Sequence, residues 1–291
     1  MRNTGTNHEG RSAFDTGVAM HDPNLYRVAR IATKLDGFDS VDDAAIVEYQ
    51  RAGFLAIENA FAPDNVREAR DGLVGLIMGQ NPDFKGISFE SKAKDILPTL
   101  DAEQRQDAVR KLSDFVDYDP NLHALASHQR LISILERLLL GGKPKLFQDM
   151  ALFKPPRLGR EKPWHQDHAY FAYPLGTPVV GVWIALDEAT VENGCMHVLE
   201  GGHKLGPRIH FKRRDWQICD EEMVGCEAVA VPLKPGGLLF FDGLMPHGTP
   251  HNKSDERRRA IQYHYAPDTA TKLADDYRTG IFGSEGKNVT C

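Results

Sequence analysis

The sequence predicts an α+β protein whose second half is built mainly from β-strands. In the first half, apolar residues recur at the spacing of amphipathic helices. From residue 143 onward, the pattern changes to short apolar runs divided by Pro, Gly, Asn and Asp, which is typical of antiparallel strands. Because helices and strands do not alternate regularly, an antiparallel sandwich or barrel is expected in place of βαβ units.

The helices are expected early in the chain. Residues 1–40 show little periodicity and predict a loosely structured arm. Residues 80–100 contain Pro and Gly and are predicted to be loop. The expected helices are 42–51, which ends near Gly53, then Pro63 to about Met78, and segments within 101–140. The expected strands are 54–57, 145–153, 179–186, 195–199, 228–233, 238–242 and 260–266.

These elements predict a single domain over residues 41–291 that follows the arm. The helix-rich part, 41–142, needs a sheet to cover its apolar faces, so it is not expected to fold as a separate domain. The strand-rich core is expected over 143–268, and residues 269–291 are expected to form a C-terminal tail.

Composition and charge exclude several classes of protein. The chain has 291 residues, 41% of them hydrophobic, and a formal net charge of -6. No run approaches the roughly 20 apolar residues of a membrane helix, and the polar amino terminus lacks the core of a signal peptide. No membrane association and a cytoplasmic location are therefore expected. The acidic balance makes nucleic acid an unfavourable partner, and motifs of phosphate-binding loops and serine hydrolases are missing from the sequence.

Three side chains from distant parts of the sequence form a candidate metal site. His165 and Asp167 are two residues apart, so in an extended segment they project from the same face. His247 follows the apolar strand expected over 238–242. Two imidazoles and one carboxylate bind non-haem Fe(II) and leave other coordination positions open. Zinc accepts the same ligands, so a zinc hydrolase stays open as an alternative.

An arginine at the start of the last predicted strand is expected to face the same cavity. Ile261 and Tyr263 belong to the apolar face of this strand, whereas Arg258 and Gln262 have the opposite parity. A fork-shaped, always-charged guanidinium suits the far carboxylate of a dicarboxylic 2-oxo acid. The alternative is that residues 257–259 form a solvated run of charge.

Taken together, these residues resemble the phytanoyl-CoA dioxygenase family of Fe(II)/2-oxoglutarate-dependent oxygenases. The resemblance covers residues 41–268, and its motifs agree with the family in order and spacing. The stretches that carry it are 53–55, 153–156, 165–167, 182–186, 192–196, 202–204 and 246–248, followed by Arg258.

The resemblance implies a fold and a set of site residues. The fold is a double-stranded β-helix, a cupin-like jelly-roll, with N-terminal helices packed on one sheet. His165, Asp167 and His247 would hold Fe(II), and Arg258 would pair with the distal carboxylate of the cosubstrate 2-oxoglutarate. Further cosubstrate contacts are implied for Lys111, which is expected in a helix, and for Met150, Trp183 and Thr249.

The implied activity is hydroxylation of an unactivated C–H bond of a small molecule, with consumption of O2 and release of succinate and CO2. Because they follow the ligand pair directly, His168, Tyr170 and Tyr173 are predicted to line the substrate mouth. The basic run 212–214 admits an anionic substrate, although charge runs usually form solvated surface. A jelly-roll binding protein that holds a metal without catalysis stays open as an alternative. No motif specifies an oligomeric state.

Overall fold

A large and a small β-sheet form the centre of the protein, and several helices cover the outer face of the large sheet. The structure is a computed structural model that describes residues 21–90 and 93–283. In this part of the chain the α-helices are α1 (Asp43–Ala52), α2 (Pro63–Ile77), α3 (Ala102–Asp107), α4 (Pro120–Ala126), α5 (Gln129–Leu138), α6 (Asp220–Met223) and α7 (Asp275–Phe282). The β-strands are β1 (Val28–Ile31), β2 (Lys34–Asp36), β3 (Phe54–Glu58), β4 (Ile87–Phe89), β5 (Val109–Ser113), β6 (Pro144–Lys154), β7 (Lys162–His165), β8 (Val180–Ala185), β9 (Met196–Val198), β10 (His210–Lys212), β11 (Trp216–Ile218), β12 (Ala228–Val231), β13 (Leu238–Asp242), β14 (His247–Thr249) and β15 (Arg258–Pro267). Within the same residues, no helix has both the length and the apolar character needed to cross a membrane.

The two sheets pack face to face. The large sheet has the strand order β2-β3-β13-β8-β15-β6-β5-β4, and the small sheet has the order β1-β12-β9-β14-β7. Their inner faces share one apolar core, to which Trp183 and Phe241 contribute from the large sheet and Val198 and Val231 from the small one. The predicted α+β class with a mainly β core is confirmed. In the described part of the chain, the two sheets stay separate and do not close into a barrel.

The first helices cover the outer face of the large sheet, as predicted. Helix α5 buries Leu131, Leu135 and Leu138, which recur at helical spacing along one side. On the sheet, the hydroxyls of Tyr263 and Tyr265 donate to backbone carbonyls of α4 at 3.1 and 2.6 Å. Because this parity of β15 faces the helices, the opposite parity is left to face the space between the sheets.

The beginning of the predicted domain folds close to expectation. The side chain of Asp42 accepts a hydrogen bond from the backbone N–H of Ala45 at 2.9 Å and caps the start of α1. Gly53 ends this helix with a φ of 83°, a left-handed conformation that favours glycine. Strand β3 follows directly, so the stretch 53–55 that carries part of the family resemblance lies at the junction of α1 and β3.

The N-terminal segment differs from the prediction of a loose arm. Strand β1 pairs in parallel with β12 of the small sheet, and β2 pairs in parallel with β3 of the large sheet. Both strands are short and lie at sheet edges, and most of their side chains are exposed or half-buried. Such edge strands lack the alternation that marks a half-buried strand, which is why the sequence pattern did not indicate them. Residues 1–20 of the predicted arm lie outside the described residues.

The segment between residues 80 and 140 also differs from expectation. Strands β4 and β5 extend the large sheet where loop and helix were predicted. Lys111 therefore lies in a strand, opposite Leu152 of β6, and its expected place in a helix is wrong. The apolar residues Val109 and Leu112 are three apart, which imitates helical spacing in a strand that does not alternate regularly.

The predicted C-terminal tail contains helix α7. The ring of Phe282 is buried and contacts the rings of His168 and His210, with centroid distances of 6.3 and 5.8 Å. The end of the described chain is therefore part of the packed structure beside the hairpin β10-β11. The remaining residues of the predicted tail, 284–291, are not among those the structure describes.

Candidate metal centre and its cavity

The three predicted metal ligands lie together in the structure. His165 ends β7 and His247 begins β14, and the two residues are directly paired across these antiparallel strands. Oδ1 of Asp167 is 3.3 Å from Nε2 of His165 and 3.7 Å from Nε2 of His247. One ligand atom from each residue lies within 4.8 Å of the others, and all three side chains are buried. This spacing fits three ligands of a single metal ion.

Each histidine of the triad is oriented by the backbone carbonyl two residues before it. Nδ1 of His165 donates to the Pro163 carbonyl at 2.7 Å, and Nδ1 of His247 donates to the Met245 carbonyl at 2.9 Å. Since a carbonyl oxygen only accepts, Nδ1 carries the proton and Nε2 keeps its lone pair for a metal. Burial and the neighbouring His165 lower the pKa of His247 to about 3, so this ring is neutral at physiological pH.

The two carboxylate oxygens of Asp167 have different neighbours. Oδ1 faces the two histidines, whereas Oδ2 accepts hydrogen bonds from Nε2 of His264 at 2.6 Å and from Nε2 of Gln262 at 3.1 Å. Burial alone would raise the pKa of Asp167, but the imidazoles of His247 and His264 and the hydrogen bonds outweigh burial and hold the pKa well below its ordinary value. The side chain is therefore a carboxylate ion, the form that binds a metal.

Gln166, the residue between two of the ligands, anchors their segment. Its side-chain amide donates to the carbonyls of Gly206 and Leu244 at 2.9 and 2.7 Å, and its Oε1 accepts the backbone N–H of Arg208 at 2.7 Å. Its backbone N–H donates to Nε2 of His210 at 3.0 Å. These bonds attach the ligand segment to the β10 side of the protein and to the turn before β14.

Arg258 brings a buried positive charge to the same cavity. It begins β15 and is 1% exposed, and its Nε and Nη1 have no hydrogen-bond partner among the described residues. The guanidinium packs over Trp183, with Cζ 5.4 Å from the ring centroid. Burial lowers the pKa of Arg258 to about 10, which still leaves it charged at neutral pH. A buried cation with unused donors is suited to binding an anion.

The neighbouring arginines are engaged elsewhere, as their parity predicts. Arg257 pairs with two carboxylates of α3, at 2.6 and 2.8 Å. Arg259 forms a two-pronged ion pair with Asp187, in which Nε and Nη2 donate at 2.7 and 2.8 Å. Residues 257–259 are therefore not a solvated run of charge, and the middle arginine alone of the three lines the cavity.

A cavity of about 390 Å³ is lined by the triad and by Arg258. Among the residues predicted to contact 2-oxoglutarate, Lys111, Met150 and Thr249 also line it. Trp183 is fully buried in the core between the sheets and is absent from the described lining. Its ring packs against the guanidinium of Arg258, which does line the cavity. The predicted cosubstrate residues therefore converge on one space, with Trp183 one layer behind it.

The residues predicted at the substrate mouth are divided between two environments. Tyr170 lines the cavity, but His168 and Tyr173 are absent from the described lining. Nε2 of His168 lies 3.3 Å from the Pro174 carbonyl, and Tyr173 packs edge-on against Phe147, 5.0 Å between centroids. The 3-10 helix Asp167–Tyr170 follows β7 directly, and a place at the substrate mouth for His168 and Tyr173 stays a prediction.

Ion pairs neutralise several charged side chains in the cavity wall. Lys162 donates to Asp215 at 2.7 Å and to the Tyr170 hydroxyl at 3.0 Å. Arg214, from the basic run that admitted either an anionic substrate or a solvated surface, donates to Glu161 at 2.7 Å. The other two residues of that run are exposed and are absent from the described lining. The run 212–214 therefore offers no free cation to the cavity.

Sequence reasoning missed the side chains that hold the ligands in place. His264 received no role, although it shares its parity in β15 with Arg258 and Gln262. That parity is the signal that could have identified it. His210 and Gln166 carry no such signal, because their contacts join β7, the loop after it and β10 across more than forty residues.

Comparisons with known proteins identify the family. A family model described as Phytanoyl-CoA dioxygenase (PhyH) matches residues 49–260. A "Probable phytanoyl-CoA dioxygenase" of Caenorhabditis elegans is 26% identical over 235 residues, which cover 76% of this chain and 73% of that protein. Phytanoyl-CoA dioxygenase domain-containing protein 1 of Danio rerio is 28% identical over 190 residues, and the match spans 62% of each protein, less than two thirds of that relative.

Solved structures share the fold. EvdO2 from Micromonospora carbonacea var. aurantiaca, solved in complex with 2-oxoglutarate, is 27% identical with a TM-score of 0.61, and the match covers 81% of this chain and 94% of that one. The non-heme alpha ketoglutarate dependent carbocyclase SnoK from nogalamycin biosynthesis is 21% identical with a TM-score of 0.63 over 81% of this chain and 87% of that one, a likeness of fold. Residues 49–260, which the family model matches, include all three residues of the triad and Arg258. The chain therefore belongs to the phytanoyl-CoA dioxygenase family.

Proposed function

We propose that this protein is an Fe(II)- and 2-oxoglutarate-dependent dioxygenase that hydroxylates an unactivated C–H bond of a small molecule and releases succinate and CO2. One observation carries the proposal: two imidazoles and a carboxylate share a cavity with a buried guanidinium whose Nε and Nη1 have no hydrogen-bond partner among the described residues. The first arrangement suits Fe(II) with open positions, and the second suits the distal carboxylate of 2-oxoglutarate. The complex of EvdO2 with 2-oxoglutarate supports the same cosubstrate.

The residues have separate tasks in this proposal. Nε2 of His165, Oδ1 of Asp167 and Nε2 of His247 would hold the iron, which would supply the oxidising chemistry together with O2 and 2-oxoglutarate. Arg258 would fix the cosubstrate by charge-assisted hydrogen bonds, with Thr249 among the surrounding contacts. The surrounding sheets would exclude bulk water from the reacting atoms.

The substrate would enter beside Tyr170 and the ion pairs of the cavity wall. Arg110 and Lys111 line the same cavity, and neither side chain forms a hydrogen bond or ion pair with another described residue. These two side chains, in place of the basic run 212–214, are where an anionic group of a substrate or the cosubstrate would be recognised. The predicted cytoplasmic location and the expected lack of nucleic-acid binding stay predictions.

The first experiment tests metal and cosubstrate binding. Fe(II) and 2-oxoglutarate are added to the protein without oxygen, and the visible spectrum is recorded. A weak charge-transfer band that needs both additions is expected, because it arises when 2-oxoglutarate binds to the iron. No band, or one unaffected by Asp167→Ala, would favour the alternative of a metal-containing binding protein. Asp255→Ala is the control, because Asp255 is an exposed partner of Arg157.

The second experiment tests the reaction. A panel of small metabolites is scored by succinate release, and products are analysed by mass spectrometry after a reaction in ¹⁸O2. A product with one added labelled oxygen is expected, and His247→Ala should abolish both product and substrate-dependent succinate. A carbocyclase shares the fold, so succinate without oxygen insertion would retain the oxygenase class and reject hydroxylation. Activity that survives iron chelation and needs no O2 would favour the zinc hydrolase.

A further inference from the structure

We infer that His264 and Gln262 are positioning residues that hold Asp167 as a ligand through one oxygen, Oδ1, and so keep one more coordination position open at the metal. The inference rests on the proposed role of Asp167 as an iron ligand. It assigns a task to two side chains of β15 that are not members of the triad, of which Gln262 also lines the cavity.

The two oxygens of the Asp167 carboxylate face different side chains. Oδ1 lies 3.3 Å from Nε2 of His165 and 3.7 Å from Nε2 of His247, on the side where a metal would be shared. Oδ2 accepts from Nε2 of both His264 and Gln262. Two donors therefore converge on the oxygen that does not face the histidines.

The ring of His264 has little freedom to turn away from Asp167. Its side chain is fully buried, and its ring contacts Phe171, Phe147 and Phe241 at centroid distances of 4.9, 6.0 and 6.3 Å. Nδ1 has no hydrogen-bond partner among the described residues. Since a carboxylate only accepts, Nε2 carries the proton. An apolar surrounding strengthens the hydrogen bond to Asp167 and makes its loss costly.

The hydrogen bonds to Oδ2 oppose the binding of one metal ion by both oxygens of Asp167. A carboxylate that chelates a metal through both oxygens must turn Oδ2 toward the ion, which would break the hydrogen bonds from His264 and Gln262. Hydrogen bonds to a charged group are stronger than those between neutral groups, so the two bonds together favour the one-oxygen arrangement. Three protein atoms would then hold the metal, which would leave its remaining positions free for a chelating 2-oxo acid and for O2.

Infrared spectroscopy of the wild-type protein tests the inference directly. Aspartate is labelled with ¹³C, and the spectrum of the metal-free protein is subtracted from that of the anaerobic Fe(II)-loaded protein. The separation between the two carboxylate stretching bands is wide for a carboxylate bound through one oxygen and narrow for a chelating one. A wide separation is expected for the wild type. A narrow one would overturn the inference without any variant.

Variants test whether His264 and Gln262 are the cause. In the pair His264→Leu with Gln262→Leu, the separation should narrow, and Fe(II) affinity should fall about 10–100-fold, as is usual when the partners of metal ligands are removed. His264→Gln, whose Nε2 can still donate, should keep the wide separation. If the double variant fails to fold, Gln262→Leu alone should show a partial narrowing. An unchanged separation in every folded variant would overturn the inference.

The outcome can be separated from the fate of the proposed function. Wild-type protein that fails to bind Fe(II) would reject the proposed metal site itself. Wild-type protein that binds Fe(II) and 2-oxoglutarate, while the variants keep its infrared spectrum and affinity, would reject only the positioning role. Thermal unfolding of the metal-free variants reports whether the folds are comparable.

Discussion

Replacement of Arg258 by methionine is expected to stabilise the metal-free protein while it weakens 2-oxoglutarate binding. The guanidinium is buried, and no residue in the described part of the chain forms a hydrogen bond with its Nε or Nη1, so its charge opposes folding. Burial lowers the pKa of Arg258 from its ordinary value to about 10, and this lowering corresponds to about 3 kcal/mol. Water in the cavity relieves part of that cost, so a gain of about 1–3 kcal/mol is expected for Arg258→Met, or about 2–4 °C in Tm for each kcal/mol.

The neighbouring Arg259 provides a control of opposite sign. Arg259→Met removes a two-pronged pair and leaves Asp187 without it, so the unfolding free energy should fall by about 1–3 kcal/mol. Both variants are unfolded in urea in a buffer free of carboxylates and phosphate. Two charge-assisted bonds of about 1.5 kcal/mol each predict a loss of at least about 100-fold in 2-oxoglutarate affinity for Arg258→Met. If Arg258→Met is no more stable than the wild type, or binds 2-oxoglutarate equally well, the reasoning is wrong.

Three further perturbations test other parts of the structure. Burial lowers the pKa of His197 to about 4, so the ring stays neutral in the folded protein while it takes up a proton in the unfolded chain below about pH 6.5. The unfolding free energy therefore falls as the pH falls below about 6.5. His197→Leu should remove about 2 kcal/mol of this loss between about pH 7 and 5. Lys162→Met leaves Asp215 without its ion-pair partner and should lower the free energy of unfolding in urea by about 1–2 kcal/mol. The double variant with Asp215→Leu should recover this stability. Gly181→Ala places a Cβ against the ring of Phe241, and because that ring packs on His247, Fe(II) affinity measured by titration should fall although no ligand is changed.

Each of these expectations has a result that contradicts it. An acid sensitivity that His197→Leu leaves unchanged would show that this ring does not take up a proton on unfolding. A double variant no more stable than Lys162→Met alone would show that the cost does not come from the unpaired carboxylate. Wild-type Fe(II) affinity in Gly181→Ala would show that the Phe241 ring can move without disturbing the ligand beside it.

The sequence was informative where the chain alternates regularly between two faces. In β15 the parity rule separated Arg258 from its two neighbours, and the structure places it in the cavity while the others pair on the outside. The pair His165 and Asp167 could also be predicted, because the spacing of two residues is local information. Central strands such as β13 were found by a different local signal, a short continuous apolar run.

The sequence was uninformative where a contact depends on the return of a distant segment. The bond between Asp167 and His264 joins residues 97 positions apart, and nothing near either one indicates the other. The 3-10 helix after β7 was not expected either, because proximity to the ligand pair in the sequence does not fix the direction of the side chains that follow it. Edge strands such as β1 failed for another reason, since a strand exposed on most of its sides has no apolar face to reveal it.

The parallel edge strand β1 has a consequence for the order in which the protein can assemble. Val28 pairs with Ala228, so this strand leaves the ribosome early while its partner is still unsynthesised. Pairing over so long a loop is slow to form and favours late closure. The small sheet, which also carries two of the residues of the triad, would therefore be completed only after most of the chain has been translated.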